Sequence, residues 1–328
     1  MIVGRLLRLV LGRRVYQRAA SVYSALLWRR RLRRRYLEEV RRCVESSSTP
    51  ILVYQMAKVG SSTVTWALRD FGGLHVFQVH LLHPDNLRRL RAALRKRGRW
   101  LARLQSDMDV RGRVLFKGLI KPGLKAKIIT LVREPIGRNC SFYFQNLDIL
   151  WATADAHGNV ELARLVGEFR DRFDHHGGVN WFDREFRPVL GVDVYSHDFP
   201  HDAGHMRIET ERYDILVMRS DLDDSSKKRC VEKFLGIEGV TLAPKNVGSQ
   251  KPYAATYRKF LDALELPESY VNEMLDSKYT RHFFSPDEIA SLRAKWLRAG
   301  VTDDKSVKAE AAVSAHPQVS EDGHALRR

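Results

Sequence analysis

Ile51-Leu52-Val53-Tyr54-Gln55-Met56 runs into Ala57-Lys58-Val59-Gly60-Ser61-Ser62 and then into Thr63-Val64-Thr65-Trp66-Ala67-Leu68-Arg69-Asp70-Phe71. The first six residues are a short apolar run of buried-strand type. The next six are small, hydroxylated and glycine-containing, which predicts a tight loop. Helical spacing from Thr63 to Phe71 ends at Gly72-Gly73, a C-cap signal. Strand, loop and helix in that order make the first half of a parallel crossover unit.

The same alternation continues outward. Leu74–His80 (LHVFQVH) reads as a second strand and 84–105 as a long basic helix. Val114–Ile120 (VLFKGLI) reads as a third strand. Lys127–Val132 (KIITLV) reads as a fourth, with a helix from Pro135 to about Leu150. Residues 151–190 read as mostly helical, Val192–Glu211 as a strand pair, Asp214–Met218 as a further buried strand and Asp221–Leu235 as a helix. The expected fold is α/β, a central parallel sheet flanked by helices, with ligands beyond the carboxyl ends of the strands. Residues 1–48 form a basic helical extension, 49–300 the α/β domain and 301–328 a polar, aperiodic tail read as disordered.

Charge is uneven. The net charge is +17, and residues 1–45 hold 13 Arg against 3 Glu. Residues 86–105 add 7 Arg and 1 Lys with no acid, which leaves the rest of the chain close to neutral. In the first segment Val3, Leu6, Leu7 and Val10 fall at helical spacing opposite Arg5 and Arg8. A basic amphipathic helix of that kind suits an anionic membrane surface. Arg interrupts every apolar stretch, so neither a secretory signal nor a spanning helix of ~18 apolar residues is read. The expected location is cytoplasmic, peripheral to the inner membrane face. Cys43, Cys140 and Cys230 make neither a disulfide framework nor a zinc pattern. No nucleic-acid-binding motif occurs, so nucleic acid is not expected as a partner.

Two loops carry chemistry. Residues 57–63 join a strand to a helix, where main-chain amides make an anion site. Gly60 permits close approach, Ser61 and Ser62 add hydroxyls, and Lys58 adds a point charge. The lysine precedes the glycine, unlike a Walker A loop. In the second loop, Leu131–Phe142 (LVREPIGRNCSF), Arg133 sits at a strand end and Ser141 about two helical turns later. A cation where a P-loop NTPase commonly has a magnesium-binding acid points to a second anion held without metal.

Together these segments resemble the sulfotransferase family, whose members use 3′-phosphoadenylyl sulfate (PAPS) and have a P-loop NTPase-like fold. AKVGSST is similar to the loop that binds the 5′-phosphosulfate. VREPIGRNCS is similar to the RxPxxxxxS element that binds the 3′-phosphate. The resemblance implies that Lys58, Gly60, Ser61 and Ser62, with Val59 and Thr63 in the same loop, contact the 5′ group, and that Arg133 and Ser141 hold the 3′-phosphate. Lys245–Ser249, Lys251, Tyr253 and Tyr257-Arg258-Lys259 are similar to a late loop closing over the nucleotide. Asn180–Tyr195 (NWFDREFRPVLGVDVY) and Tyr279–Trp296 further resemble a bacterial group of capsular polysaccharide synthesis proteins. A carbohydrate hydroxyl is the implied acceptor, and no metal is required.

The chain departs from the cytosolic branch at Ala57 and Thr63, and it lacks that branch's Lys-Thr-His element. The general base is therefore sought elsewhere. His80 closes the second strand and is the first candidate, with His83 the second. An unperturbed imidazole titrates near pH ~6.5, suited to taking a hydroxyl proton. Lys58 is the expected charge stabiliser, with Lys117 or Lys121 as helpers. Two other readings are open to the residues: a kinase-like transferase using ATP and magnesium, and a non-catalytic basic protein that binds a membrane surface.

Overall fold

The computed structural model describes residues 2–96, 101–147, 160–242 and 253–297. Its centre is a five-stranded sheet in the order β2-β1-β3-β5-β4, with β1 Ile51–Tyr54, β2 Val76–Val79, β3 Ala126–Val132, β4 His205–Glu209 and β5 Tyr213–Arg219. The first four strands of that order run parallel, and β4 pairs antiparallel with β5. All four residues of β1 are buried, as are Ile128, Ile129, Leu131 and Val132 of β3. Strands covered on both faces need continuous apolar runs, which is why ILVY and IITLV read as strands. The expected α/β class holds.

Parallel pairing brings the carboxyl ends of β1, β2, β3 and β5 to one edge. The chain leaves β1 to build β2 on one side and later returns to build β3 on the other. The crevice between the β1 and β3 ends is thus a switch point of the sheet, where α/β folds bind ligands.

Helix α1 spans Ile2–Glu45, α2 Ser61–Phe71, α3 Pro84–Lys96, α4 Leu101–Leu115 and α5 Pro135–Gln145. The long basic helix expected over 84–105 is therefore two helices. The apolar face read from Val3, Leu6, Leu7 and Val10 concerns side chains outside the described set. Further along, Tyr36, Val40 and Cys43 of α1 are buried, and the Tyr36 hydroxyl donates to Asp107 at 2.6 Å. Asp109, fully buried on α4, accepts from Arg29 of α1 at 2.8 Å, Arg91 of α3 at 3.1 Å and Arg113 at 2.7 Å. One carboxylate thus ties three basic helices together. Among the described residues no helix is long and apolar enough to cross a membrane.

Two expected strand regions are different. Val114–Ile120 is not a strand: α4 continues to Leu115 and the chain makes a π-helical turn over Phe116–Ile120. A short apolar run cannot be assigned to strand or buried helix by periodicity alone, and here burial of Val114, Leu115, Leu119 and Ile120 is helical. Val192–Glu211 holds one strand, β4, preceded by a short 3-10 turn at Val194–Ser196. Pro200 and Gly204 turn the intervening chain. The expected tail 301–328 and the Lys245–Ser249 and Lys251 positions lie outside the described residues.

Candidate functional site

A cavity of about 400 Å³ opens over the carboxyl ends of β1, β2 and β3. From the first loop it is lined by Lys58, Gly60, Ser61, Ser62 and Thr63. Gly60 takes a left-handed conformation (φ 78°) as the N-cap of α2, with no side chain capping the helix. A glycine adopts that geometry without a Cβ penalty, and the uncapped amides of the first turn remain donors. Lys58 is also left-handed, with φ 74°. A lysine held there is strained, a condition typical of ligand-binding turns. Its ammonium donates to Gln145 Oε1. Val59 is buried in the core and contributes only main chain to the loop.

The loop's carbonyls are turned away toward two arginines. Arg133 donates to the Lys58 carbonyl at 3.1 Å, and Arg138 donates to the Ala57 carbonyl at 3.1 Å. Neither guanidinium forms an ion pair among the described residues. Burial pulls the Arg138 guanidinium down to about 10, so its charge is poorly solvated. Its Nη1 donates to the neutral side-chain amide oxygen of Asn139 at 2.9 Å.

Ser61 has a specific environment. Its hydroxyl oxygen accepts from the Gln55 amide at 2.6 Å and from the Gln78 amide at 3.1 Å. With two donors already bound, the hydroxyl can act only as a donor itself. Ser61 is nearly fully buried yet lines the cavity, so that proton is available to an anion there.

Arg133 and Ser141 line the same cavity. β3 ends at Val132, and the buried Tyr279 hydroxyl clamps the next residue, accepting from the Arg133 amide at 3.0 Å and donating to its carbonyl at 2.8 Å. Glu134 then caps α5, accepting from the amides of Ile136 at 3.0 Å and Gly137 at 2.8 Å. Pro135 begins the helix, and Ser141 follows two turns on. Phe144 and Gln145, three and four residues beyond Ser141, complete one helix face along the cavity wall.

His80 follows β2 and lines the cavity. Its Nδ1 is 2.9 Å from the Gln55 carbonyl. A carbonyl only accepts, so Nδ1 carries the proton and Nε2 keeps its lone pair. Desolvation, opposed by that hydrogen bond and reinforced by Arg111 and Arg138, holds the imidazole below its ordinary range. It is therefore neutral near pH 7.

The His80 turn is held by a distant segment. The Trp181 indole donates to the His80 carbonyl at 3.1 Å. Glu185, almost fully buried in the π-helical turn Phe182–Phe186, accepts from the Leu82 and His83 amides, the Tyr54 hydroxyl and the Asn86 amide. At Gly112 of α4 a Cβ would collide with the Leu81 carbonyl, so α4 presses on the same turn.

Not every expected residue reaches the cavity. His83 lines a separate one. Tyr257 lines the main cavity with Tyr253, but on the helix Ala254–Ala263, not on a loop; Arg258 and Lys259 are exposed elsewhere on that helix. Lys117 lies in the π turn and Lys121 just after it, both exposed. Both precede β3, at the sheet edge away from the cavity, because the strand expected to carry them there is helical. His201 and His205 are bound to carbonyls, and among the described residues no three His, Cys, Asp or Glu side chains gather as metal ligands. Gln78, Gln145 and Phe144 were not anticipated. The signals were present: Gln78 is the polar member of an apolar strand, and Phe144 and Gln145 share a face with Ser141.

Residues 164–285 match a family model described as "Putative capsular polysaccharide synthesis protein". Polysaccharide biosynthesis is thus the context with which the chain is consistent. The matched segment contains Trp181, Glu185, Tyr257 and Tyr279, which hold the cavity in shape, and not the loops of Lys58, His80 and Arg133. No curated protein and no solved structure matches the chain.

Proposed function

We propose that the protein transfers a sulfuryl group from PAPS to a hydroxyl of a capsular polysaccharide or its precursor. One observation carries this reading. A single cavity brings together an uncapped helix N-terminus with Lys58, a strand-end Arg133 with Ser141, and a neutral His80. Two candidate anion subsites and one base in the same cavity suit in-line transfer from an anionic nucleotide to an alcohol.

In this reading Lys58, Ser61, Ser62 and the amides up to Thr63 hold the 5′ end of the donor, and Arg133 and Ser141 hold its 3′-phosphate. Phe144, Tyr253 and Tyr257 supply an aromatic wall for a base; Phe144 and Tyr257 have ring centroids 5.0 Å apart. The donor supplies an activated sulfuryl group. His80 Nε2 takes the acceptor proton as the new O–S bond forms. Lys58 and the Ser61 hydroxyl stabilise the phosphate oxygen released as the old S–O bond breaks. The arginine-rich stretch of α1, with Tyr23 and Leu26 exposed beside it, suits attachment to an anionic membrane surface on the cytoplasmic side.

The test is a metal-free calorimetric titration with 3′-phosphoadenosine 5′-phosphate, against 5′-AMP and against ATP with magnesium. Preference for the 3′-phosphorylated nucleotide, lost in Arg133→Ala, is the expected result. Binding of ATP-magnesium alone would replace this reading with a kinase-like one.

A further inference from the structure

A second cavity, of about 500 Å³, lies beside the first and is lined by His83, Asp85, Asn86, Arg89 and Arg184. His80 borders one cavity and His83 the other. Three residues span at most about 11 Å of extended chain, so the two cavities are within reach of one short oligosaccharide.

Its charge is distinctive. Arg88, Arg91, Arg111 and Arg113 on α3 and α4 each pair with a carboxylate. Arg89 and Arg184 form no ion pair among the described residues. Asp85, the acid in the cavity, is paired with Arg88. Two guanidinium groups with no salt-bridge partner among the described residues therefore line this space, and the Glu185 carboxylate behind it is bound to the His83 and Asn86 amides. His83 completes the wall of this space.

The cavity is also built into the knot that holds His80. Asn86 donates to the Arg184 carbonyl at 2.9 Å and to Glu185, and Glu185 accepts from the His83 amide at 2.8 Å. Anything bound to Arg184 and His83 is thus registered to the base.

We infer that this second cavity is an acceptor subsite for an oxyanion on the saccharide, a uronate carboxylate or a sugar phosphate, gripped by Arg89 and Arg184. The inference rests on the reading that a saccharide is the acceptor. Planar guanidinium groups match such oxyanions with paired hydrogen bonds. The acceptor is then a negatively charged glycan, and the hydroxyl offered to His80 belongs to the anionic sugar or its neighbour.

The test uses the full chain with 3′-phosphoadenosine 5′-phosphate present. Binding is measured for a glucuronate-containing hexasaccharide, a neutral glucose hexasaccharide and glucose 6-phosphate. The variants are Arg89→Gln, Arg184→Gln and both together. Each side chain is exposed, and the knot uses only the main chain of Arg184, so the fold is retained. The expected result is at least about tenfold tighter binding of an anionic ligand than of the neutral one, lost in the double variant and weakened by salt, with nucleotide affinity unchanged. Whether the uronate or the phosphate is preferred assigns the source of the oxyanion. Equal binding of neutral and anionic ligands, no binding of either, or binding indifferent to both substitutions overturns the subsite. Anionic binding lost in the variants of a protein that binds no nucleotide leaves the subsite standing and removes the PAPS reading instead.

Discussion

Two regions of this molecule handle positive charge in opposite ways. In the helical layer, Asp109 draws Arg29, Arg91 and Arg113 onto one buried carboxylate, and Asp107 takes Arg111. At the carboxyl edge of the sheet, Arg133 and Arg138 are bound to carbonyls and an amide, which are neutral. The first arrangement cancels charge to fix three helices. The second fixes the side chains without cancelling their charge against an acid among the described residues, and Arg133 lines the cavity. A net charge of +17 says nothing about which arginines are of which kind; that depends on which acid lies opposite each one.

The contrast can be broken at its strongest point. Asp109→Asn leaves three guanidinium groups around a neutral amide, and chemical denaturation should show a loss of about 3 kcal/mol of stability, as for a broken buried ion pair. Nucleotide affinity at a fixed folded fraction should not change. A large change there would mean that the two regions are one electrostatic unit. Asp109 is also held below its ordinary carboxyl range, with desolvation opposed by the three arginines. Its folded value is depressed, so its contribution is complete above the unfolded value near ~3.9 and is lost as pH falls below it.

At the other pole, Arg133→Ala should weaken binding of the 3′-phosphorylated nucleotide by about 2 kcal/mol, the scale of a charged hydrogen bond, without lowering the melting temperature by more than a few degrees. Ser61→Ala should cost about 1 kcal/mol in the same titration, because it removes one donor and frees two glutamine amides to reorient. Since His80 is held below its ordinary range, the acid limb of kcat/KM should fall below pH ~6.5 and should disappear in His80→Gln along with most of the rate. The smallest effect is expected for Trp181→Phe. It deletes one hydrogen bond to the His80 carbonyl and should lower kcat a few-fold while KM for the nucleotide is constant.

How much of this was legible in the residues divides along the same line. The parallel strands and the two loops that line the cavity could be read because each is a local pattern: an apolar run, then a small-residue turn, then a helix. VLFKGLI failed because a seven-residue apolar run looks alike in a strand and on the buried side of a helix. The site's supports were illegible for a different reason. Glu185 within FDREF reads as a surface acid, yet it is buried against Tyr54 and Leu82, more than a hundred residues away. Nothing in the local sequence announces a partner at that separation. By contrast, Arg88 and Arg89 are neighbours of identical type whose difference is local: Arg88 lies one helical turn from Asp85 and pairs with it, and Arg89 forms no ion pair among the described residues.

Lys58 has a consequence for anyone who engineers this protein. Its left-handed backbone is one that glycine would occupy without strain, and a non-glycine residue there costs roughly 1–2 kcal/mol. Lys58→Gly would therefore look like an improvement in a thermal screen while removing a cation from the cavity wall. Directed evolution for robustness alone would discard this lysine early, and libraries should hold position 58 constant.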